Sequence, residues 1–162
     1  SRDALRAALA LKHVDRAGWR RARAAPVESV AAHSWGMALL ALRLCPPELD
    51  RAEVLALCAL HDLAEAIVGD ITPHDGVPPA EKHRREDAAA AELLADAPDL
   101  LRLFRDYAER RTPAARFVRQ LDKLDMALQA EIYAADGADT AEFVESARRG
   151  ITDPSLAALL PD

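Results

Sequence analysis

Two histidines and two aspartates sit on three separate stretches of apolar, helix-patterned sequence. His61 and Asp62 are adjacent in RAEVLALCALHDLAEAIV (51–68). His33 lies midway along ESVAAHSWGMALLALRLC (28–45), and Asp122 midway along AARFVRQLDKLDMALQAEIYAAD (114–136). A carboxylate or imidazole on an apolar helix face must be hydrogen-bonded, ion-paired or bound to a metal. Two His and two Asp form a mixed N/O set that suits a divalent ion, and four protein ligands leave positions on an octahedral ion for water and substrate. Neighbouring helical positions point roughly 100° apart, so His61 and Asp62 reach one ion only if it sits beside their shared face. Glu65 follows His61 by four residues, on the same face and about 6 Å along the axis. Singly, each residue has a plainer reading. A lone helix histidine is more often packed or solvated than a ligand, and Asp122 has Arg119 and Lys123 nearby to pair with. All four together with Glu65 favour a site.

The surrounding chain must hold these residues, and its composition limits how. The 162 residues carry 21 Lys+Arg against 27 Asp+Glu, a net charge of −6, which makes a poor passive binder of nucleic-acid polymers or anionic membranes. Six glycines and a hydrophobic content of 51% argue against a turn-rich β-sandwich and against disorder. The 36 alanines suit closely packed helices, although codon bias is the weightier reading of the excess. No run of apolar residues is long enough for a membrane span, and the start, SRDALRAALALKHVDRAGW, reads as an amphipathic helix rather than a signal peptide. Cys45 and Cys58 sit in apolar helical patterns without a C-x-x-C, as buried reduced thiols of a cytoplasmic protein would.

The periodicity predicts helices throughout: 3–16, 28–45, 51–68, 81–96, 99–111, 114–136, 140–149 and 154–160. Pro46-Pro47, Gly69 and Gly137 stop three of them, and Thr112-Pro113 is a cap followed by proline at the first helical position. RRARAAP (20–26) reads as a basic loop and DITPHDGVPP (70–79) as the one clearly loop-rich stretch. The expectation is an all-α chain forming a single domain over 1–162, with core motifs in 16–133 and the C-terminal helices 139–160 packed on them.

Several of these segments together resemble the HD superfamily of metal-dependent phosphohydrolases. The order His33…His61-Asp62…Asp122 is the superfamily pattern. RAGW (16–19), PVESVAAHSW (26–35), HDLAEAIVGDITP (61–73), EKHRRE (81–86) and FVRQLDKLDMALQA (117–130) are similar to its 5′-deoxynucleotidase branch. The resemblance implies an all-α HD fold, a homodimer, and hydrolysis of deoxynucleoside 5′-monophosphates to deoxynucleoside and phosphate. It makes His33, His61, Asp62 and Asp122 ligands of one divalent ion per protomer, Co²⁺, Mn²⁺ or similar. It makes Glu65 and Asp70 the acidic catalytic positions, sets Arg16 at the substrate phosphate, and puts Trp19 in the segment that shapes the sugar pocket.

That chemistry fits the residue types. Phosphate monoester hydrolysis is among the slowest uncatalysed reactions, so transition-state charge must be stabilised heavily. A divalent ion polarises a phosphoryl oxygen and acidifies water, and an arginine adds a planar, always-charged bidentate donor. Glu65 and Asp70 are carboxylates able to orient or deprotonate water or to protonate the leaving 5′ oxygen, in an order that the sequence leaves open.

Other residues carry weaker signals. His74 and His83 read as surface residues; as extra ligands of a second ion they would fit two-metal HD enzymes. Lys82, Arg84 and Arg85 form a solvated helix face or a phosphate contact. Asp125, one turn after Asp122, either supports the site or pairs with a surface base. Trp35 and Met37 read as core. Two departures from the branch pattern stand beside His33: Ala32 in place of the usual glutamate, and Gly36 in place of a larger side chain. Glu65 is followed by Ala66, against a (p)ppGpp hydrolase. The competing readings are an HD hydrolase of another phosphate ester, a di-iron HD oxygenase, and a non-catalytic nucleotide-binding HD protein.

Overall fold

The computed structural model describes residues 1–161. Ten α-helices follow one another: α1 Arg2–Leu9, α2 Ala17–Arg21, α3 Val30–Leu44, α4 Arg51–Leu60, α5 Glu65–Val68, α6 Pro79–Leu93, α7 Pro98–Ala108, α8 Pro113–Ala135, α9 Ala141–Gly150 and α10 Pro154–Ala157. No strand occurs among the described residues, and the expected all-α class holds; Asp15 and Ser29 form one isolated antiparallel bridge.

The long helix α8 is the axis of the core. Its start is set locally: Thr112 Oγ1 accepts from the Ala115 amide at 3.0 Å, and Pro113 occupies the first turn, where a missing N–H costs nothing. Val118, Leu121 and Leu124 are fully buried against α3 and α4, where Met37, Ala41, Val54 and Leu57 are likewise inaccessible. Ala115, Ala127 and Ala130 are also buried, so short side chains let the neighbouring helices approach. A smaller apolar cluster, with Leu60, Ala64, Leu93 and Phe104 at its centre, ties α5, α6 and α7 together.

Two breaks in predicted helices bear on the site. The first predicted helix, 3–16, ends at Leu9 and tightens into a 3₁₀ turn over Ala10–His13. The chain then runs extended, with the Arg16 amide donating to the Glu28 carbonyl at 3.0 Å and the Val30 amide to the Val14 carbonyl at 2.8 Å. This pairing fixes Arg16 beside the start of α3, and α2, from Ala17, runs into the first two residues of the expected basic loop 20–26. The second break interrupts 51–68. Beyond Leu60 the bonds shorten to i→i−3 spacing, from Leu63 N to Leu60 O and from Glu65 N to Asp62 O, each 3.0 Å. A tightened stretch inside a helix changes the direction of successive side chains. It occurs here at His61 and Asp62, with neither Pro nor Gly to announce it. Gly69, at φ 76°, then takes the left-handed backbone that ends α5 and releases Asp70.

Trp35 departs from its expected core position: it is 69% exposed, whereas Met37 is fully buried. They lie two residues apart, on opposite sides of α3. Cys58 is buried and Cys45 partly so, both as free thiols.

Candidate metal centre and its cavity

Three helix stretches bring the four expected ligands together. His33 comes from the middle of α3, His61 and Asp62 from the break after α4, and Asp122 from the middle of α8. Ligand atoms of His33, His61 and Asp62 lie within 4.8 Å of one another. The His61 Nε2–Asp62 Oδ2 distance is 2.9 Å, and His33 Nε2 is 3.2 Å from Asp122 Oδ1. His61 and Asp62, neighbours along the chain, thus both reach the one position.

Both rings are held from behind. His61 Nδ1 is 2.9 Å from the Cys58 carbonyl, and His33 Nδ1 is 2.6 Å from Asp125 Oδ2. Of the two readings open for Asp125, the structure takes the first. With each Nδ1 on an acceptor, each Nε2 is left to accept. Those Nε2 atoms and Glu65 Oε2 are buried and have no protein partner. A buried polar atom without a partner costs stability unless something else satisfies it. Two imidazole nitrogens beside two carboxylates are a donor set for a divalent cation.

The electrostatics agree. Burial would depress the His33 imidazolium, yet the adjacent Asp122 and Asp125 carboxylates outweigh it and raise its pKa to about 9. Burial alone would raise Asp62, but neighbouring His61 brings it down to about 2; against the same burial, the adjacent His33 draws Asp122 down as well. Burial, reinforced by Asp62 and Asp70, pushes Glu65 up to about 10. The cluster holds more negative charge than it can carry unaided, and it draws in protons where it lacks a cation.

The centre opens into a cavity of about 370 Å³, within the size range of small-molecule sites. Arg16, Glu65 and Asp70 line it, as expected. The Arg16 side chain is 14% exposed, 3.7 Å from Asp62 and 3.9 Å from Glu28. Asp70 Oδ2 accepts from the Ala17 amide at 2.8 Å, which ties the loop after α5 to the Arg16 segment. Trp19 reaches the cavity wall but is 1% exposed. Its indole N–H donates to Glu28 Oε1 at 2.8 Å, and its ring packs on Tyr133 and Phe143. It therefore shapes the wall chiefly as a packed support.

Sequence reasoning missed other lining residues. Arg119, treated only as a partner for Asp122, lines the cavity with its guanidinium 5.7 Å from the Tyr107 ring centroid. Tyr107 packs edge-on against His61 at 5.4 Å. The i,i+3 spacing of Arg119 and Asp122 on α8 is the signal that could have found the first. His74 and His83 are exposed, as favoured; His74 is at the cavity rim, 3.8 Å from Glu142. Lys82 donates to the Ile71 carbonyl at 2.7 Å, and Arg84 and Arg85 both pair with Glu81.

Comparison with known proteins bears on what such a centre does. A family model described as HD domain matches residues 8–161. A human protein named 5′-deoxynucleotidase HDDC2 is 39% identical over 128 residues, covering 76% of this chain and 63% of its own. The Schizosaccharomyces pombe 5′-deoxynucleotidase hdd1 is 36% identical over 128 residues, covering 74% and 65%. The chain thus spans just under two thirds of the length of these curated relatives. The crystal structure of the PH0347 protein from Pyrococcus horikoshii superposes with a TM-score of 0.81 at 30% identity, over 98% of this chain and 99% of that one.

Proposed function

Because the chain belongs to the HD-domain family, we propose that it is a metal-dependent phosphomonoesterase that hydrolyses deoxynucleoside 5′-monophosphates to deoxynucleoside and phosphate. The carrying observation is that His33 Nε2 and His61 Nε2, buried without a hydrogen-bond partner, lie beside the Asp122 and Asp62 carboxylates, which line a cavity together with Glu65 and Arg16. The names of the relatives supply the substrate class.

His33, His61, Asp62 and Asp122 would hold one divalent ion per chain, with Mn²⁺ and Co²⁺ among those such donors accept. When bound, that ion polarises a phosphoryl oxygen and acidifies water. Arg16 supplies a second positive charge. It rests between Asp62 and Glu28 at 3.7 and 3.9 Å, longer than a tight ion pair, and a dianionic phosphate competes for it with paired N–H donors. In the reaction water adds to phosphorus, the bond to the 5′ oxygen breaks, and one proton moves from water to that oxygen. Glu65 and Asp70 are the carboxylates on the cavity wall able to move it. Burial and then the neighbouring carboxylates hold Glu65 protonated, and a cation among them would work against both and favour the form that accepts a proton. Asp70 also anchors the Ala17 amide, so it holds the Arg16 segment in register with the loop.

A homodimer is part of the same proposal. Trp35, Leu39 and Leu42 are 69%, 43% and 53% exposed at i, i+4 and i+7 along α3, a single apolar stripe. A second copy of the chain would cover it.

The test is phosphate release from a panel of deoxyribo- and ribonucleoside 5′-monophosphates and other phosphate monoesters, with Mn²⁺ or Co²⁺ and with EDTA. The reading expects metal-dependent release, strongest for the deoxy compounds. No release from any member, with bound metal confirmed, overturns it.

A further inference from the structure

Gly36 lies one turn after His33 on α3, where a larger residue would favour the helix. A glycine inside a helix costs roughly 1 kcal/mol relative to alanine. The reason for it lies on α8. A methyl group built at Gly36 would overlap the Asp125 carboxylate, meeting Oδ1 well inside van der Waals distance and Cγ at 3.2 Å. The same carboxylate places Oδ2 2.6 Å from His33 Nδ1. His33 is fully buried, and the Asp125 side chain is 13% exposed. We propose that Gly36 and Asp125 act as one positioning device for His33: the missing side chain at 36 lets Asp125 enter between α3 and α8 and accept the Nδ1 hydrogen, which aims the Nε2 lone pair at the metal position.

The two histidines are held in different ways. His61 gives its Nδ1 hydrogen to a neutral carbonyl of its own helix, Cys58 O at 2.9 Å. His33 gives its own to a carboxylate from another helix. A carboxylate acceptor fixes the ring and makes the opposite nitrogen a stronger donor than a carbonyl does. Asp125 touches neither substrate nor the reacting atoms; it acts through His33. Any residue larger than glycine at 36 must push Asp125 aside, so the two positions cannot vary independently.

This inference rests on the divalent-metal reading of the site, and its test is made on binding rather than turnover. Mn²⁺ affinity is measured by calorimetry on metal-free wild type, Gly36→Ala, Asp125→Ala, Asp125→Asn and the double variant Gly36→Ala/Asp125→Ala, with thermal melts as a folding check. The His33 Nδ1–H···Asp125 hydrogen bond is followed in the Zn²⁺-loaded proteins by ¹H–¹⁵N NMR of the imidazoles. Each single alanine variant is expected to weaken Mn²⁺ about 10- to 100-fold. The double variant should be no more than about threefold worse than Asp125→Ala, because both changes remove one interaction. Asp125→Asn, whose amide oxygen still accepts, should retain most of the affinity. With Zn²⁺ bound, the His33 Nδ1 hydrogen should exchange slowly with water in wild type and rapidly in Asp125→Ala. Asp125→Ala binding Mn²⁺ within twofold of wild type, or fully multiplicative losses in the double variant, overturns the device while leaving the metal site standing. Wild type that binds none of Mn²⁺, Co²⁺ or Zn²⁺ overturns the metal reading and this inference with it. Should Gly36→Ala fail to fold, the two Asp125 variants decide alone.

Discussion

Glu65 is a site residue that the fold pays to bury, and replacing it with glutamine should make the metal-free protein more stable as it destroys activity. Glu65 is 4% exposed, and its Oε2 has no partner. Burial first, then Asp62 and Asp70, push its pKa from 4.5 to about 10. A carboxyl with a raised folded-state pKa holds a proton that the unfolded chain has already released. Stability therefore falls as pH rises from the unfolded value toward the folded one. Between pH 4.5 and 7 that is about 2.5 units at roughly 1.4 kcal/mol each, or about 3 kcal/mol. Glutamine has nearly the shape of the protonated acid and nothing to ionise. For a chain of this length about 3 kcal/mol corresponds to a rise of roughly 6–12 °C in Tm. The assay is thermal unfolding of wild type and Glu65→Gln in EDTA, at about pH 5 and about pH 7.5. The gain should be small at the lower pH and large at the higher one. Turnover with metal should fall about a hundredfold or more. A variant that melts at or below the wild-type temperature near pH 7.5, or a gain independent of pH, would refute the reasoning.

Other perturbations follow from the same geometry. Arg16→Lys keeps the charge but loses the paired donors, and kcat/KM should fall about 10- to 100-fold in steady-state assays while Mn²⁺ affinity holds. Arg119→Ala should raise KM for the nucleotide about tenfold with little change in metal affinity, as expected of a cavity-wall cation outside the metal cluster. Trp35→Asp should turn a dimer into a monomer by light scattering without lowering Tm by more than about 2 °C, since the side chain is already exposed. Leu121→Ala, at a fully buried position on α8, should cost about 2–5 kcal/mol in denaturant unfolding.

The cluster of His33, His61, Asp62 and Asp122 was legible in the sequence because each is a polar side chain in an apolar helix, where an unpaired group is costly. The helix class and most boundaries were legible for the same periodic reason, with Pro113, Gly69 and Gly137 as clear punctuation. The break after Leu60 was not. RAEVLALCALHDLAEAIV contains no helix-breaking residue to mark the change to i→i−3 bonds beyond Leu60. Trp35 was misplaced because α3 is apolar around much of its circumference, so pattern alone does not say which side meets α8. Arg119 and Tyr107 were passed over for a related reason. A charged residue on α8 and an aromatic residue on α7 look ordinary until the two helices are packed and their shared face proves to be a cavity wall. Asp125 was readable either as a site residue or as a surface partner; its contact with His33, across 92 positions of chain, settled the choice.

The most direct test of the central claim is a titration of metal-free protein with Co²⁺ during turnover of a deoxynucleoside 5′-monophosphate, following phosphate release and bound metal in the same samples. Phosphate release should rise from none and saturate at one ion per chain, and it should stay absent in Asp122→Ala, which loses a ligand. Saturation only at two ions per chain, or release that is undiminished in Asp122→Ala, would contradict a hydrolase built on one ion held by His33, His61, Asp62 and Asp122.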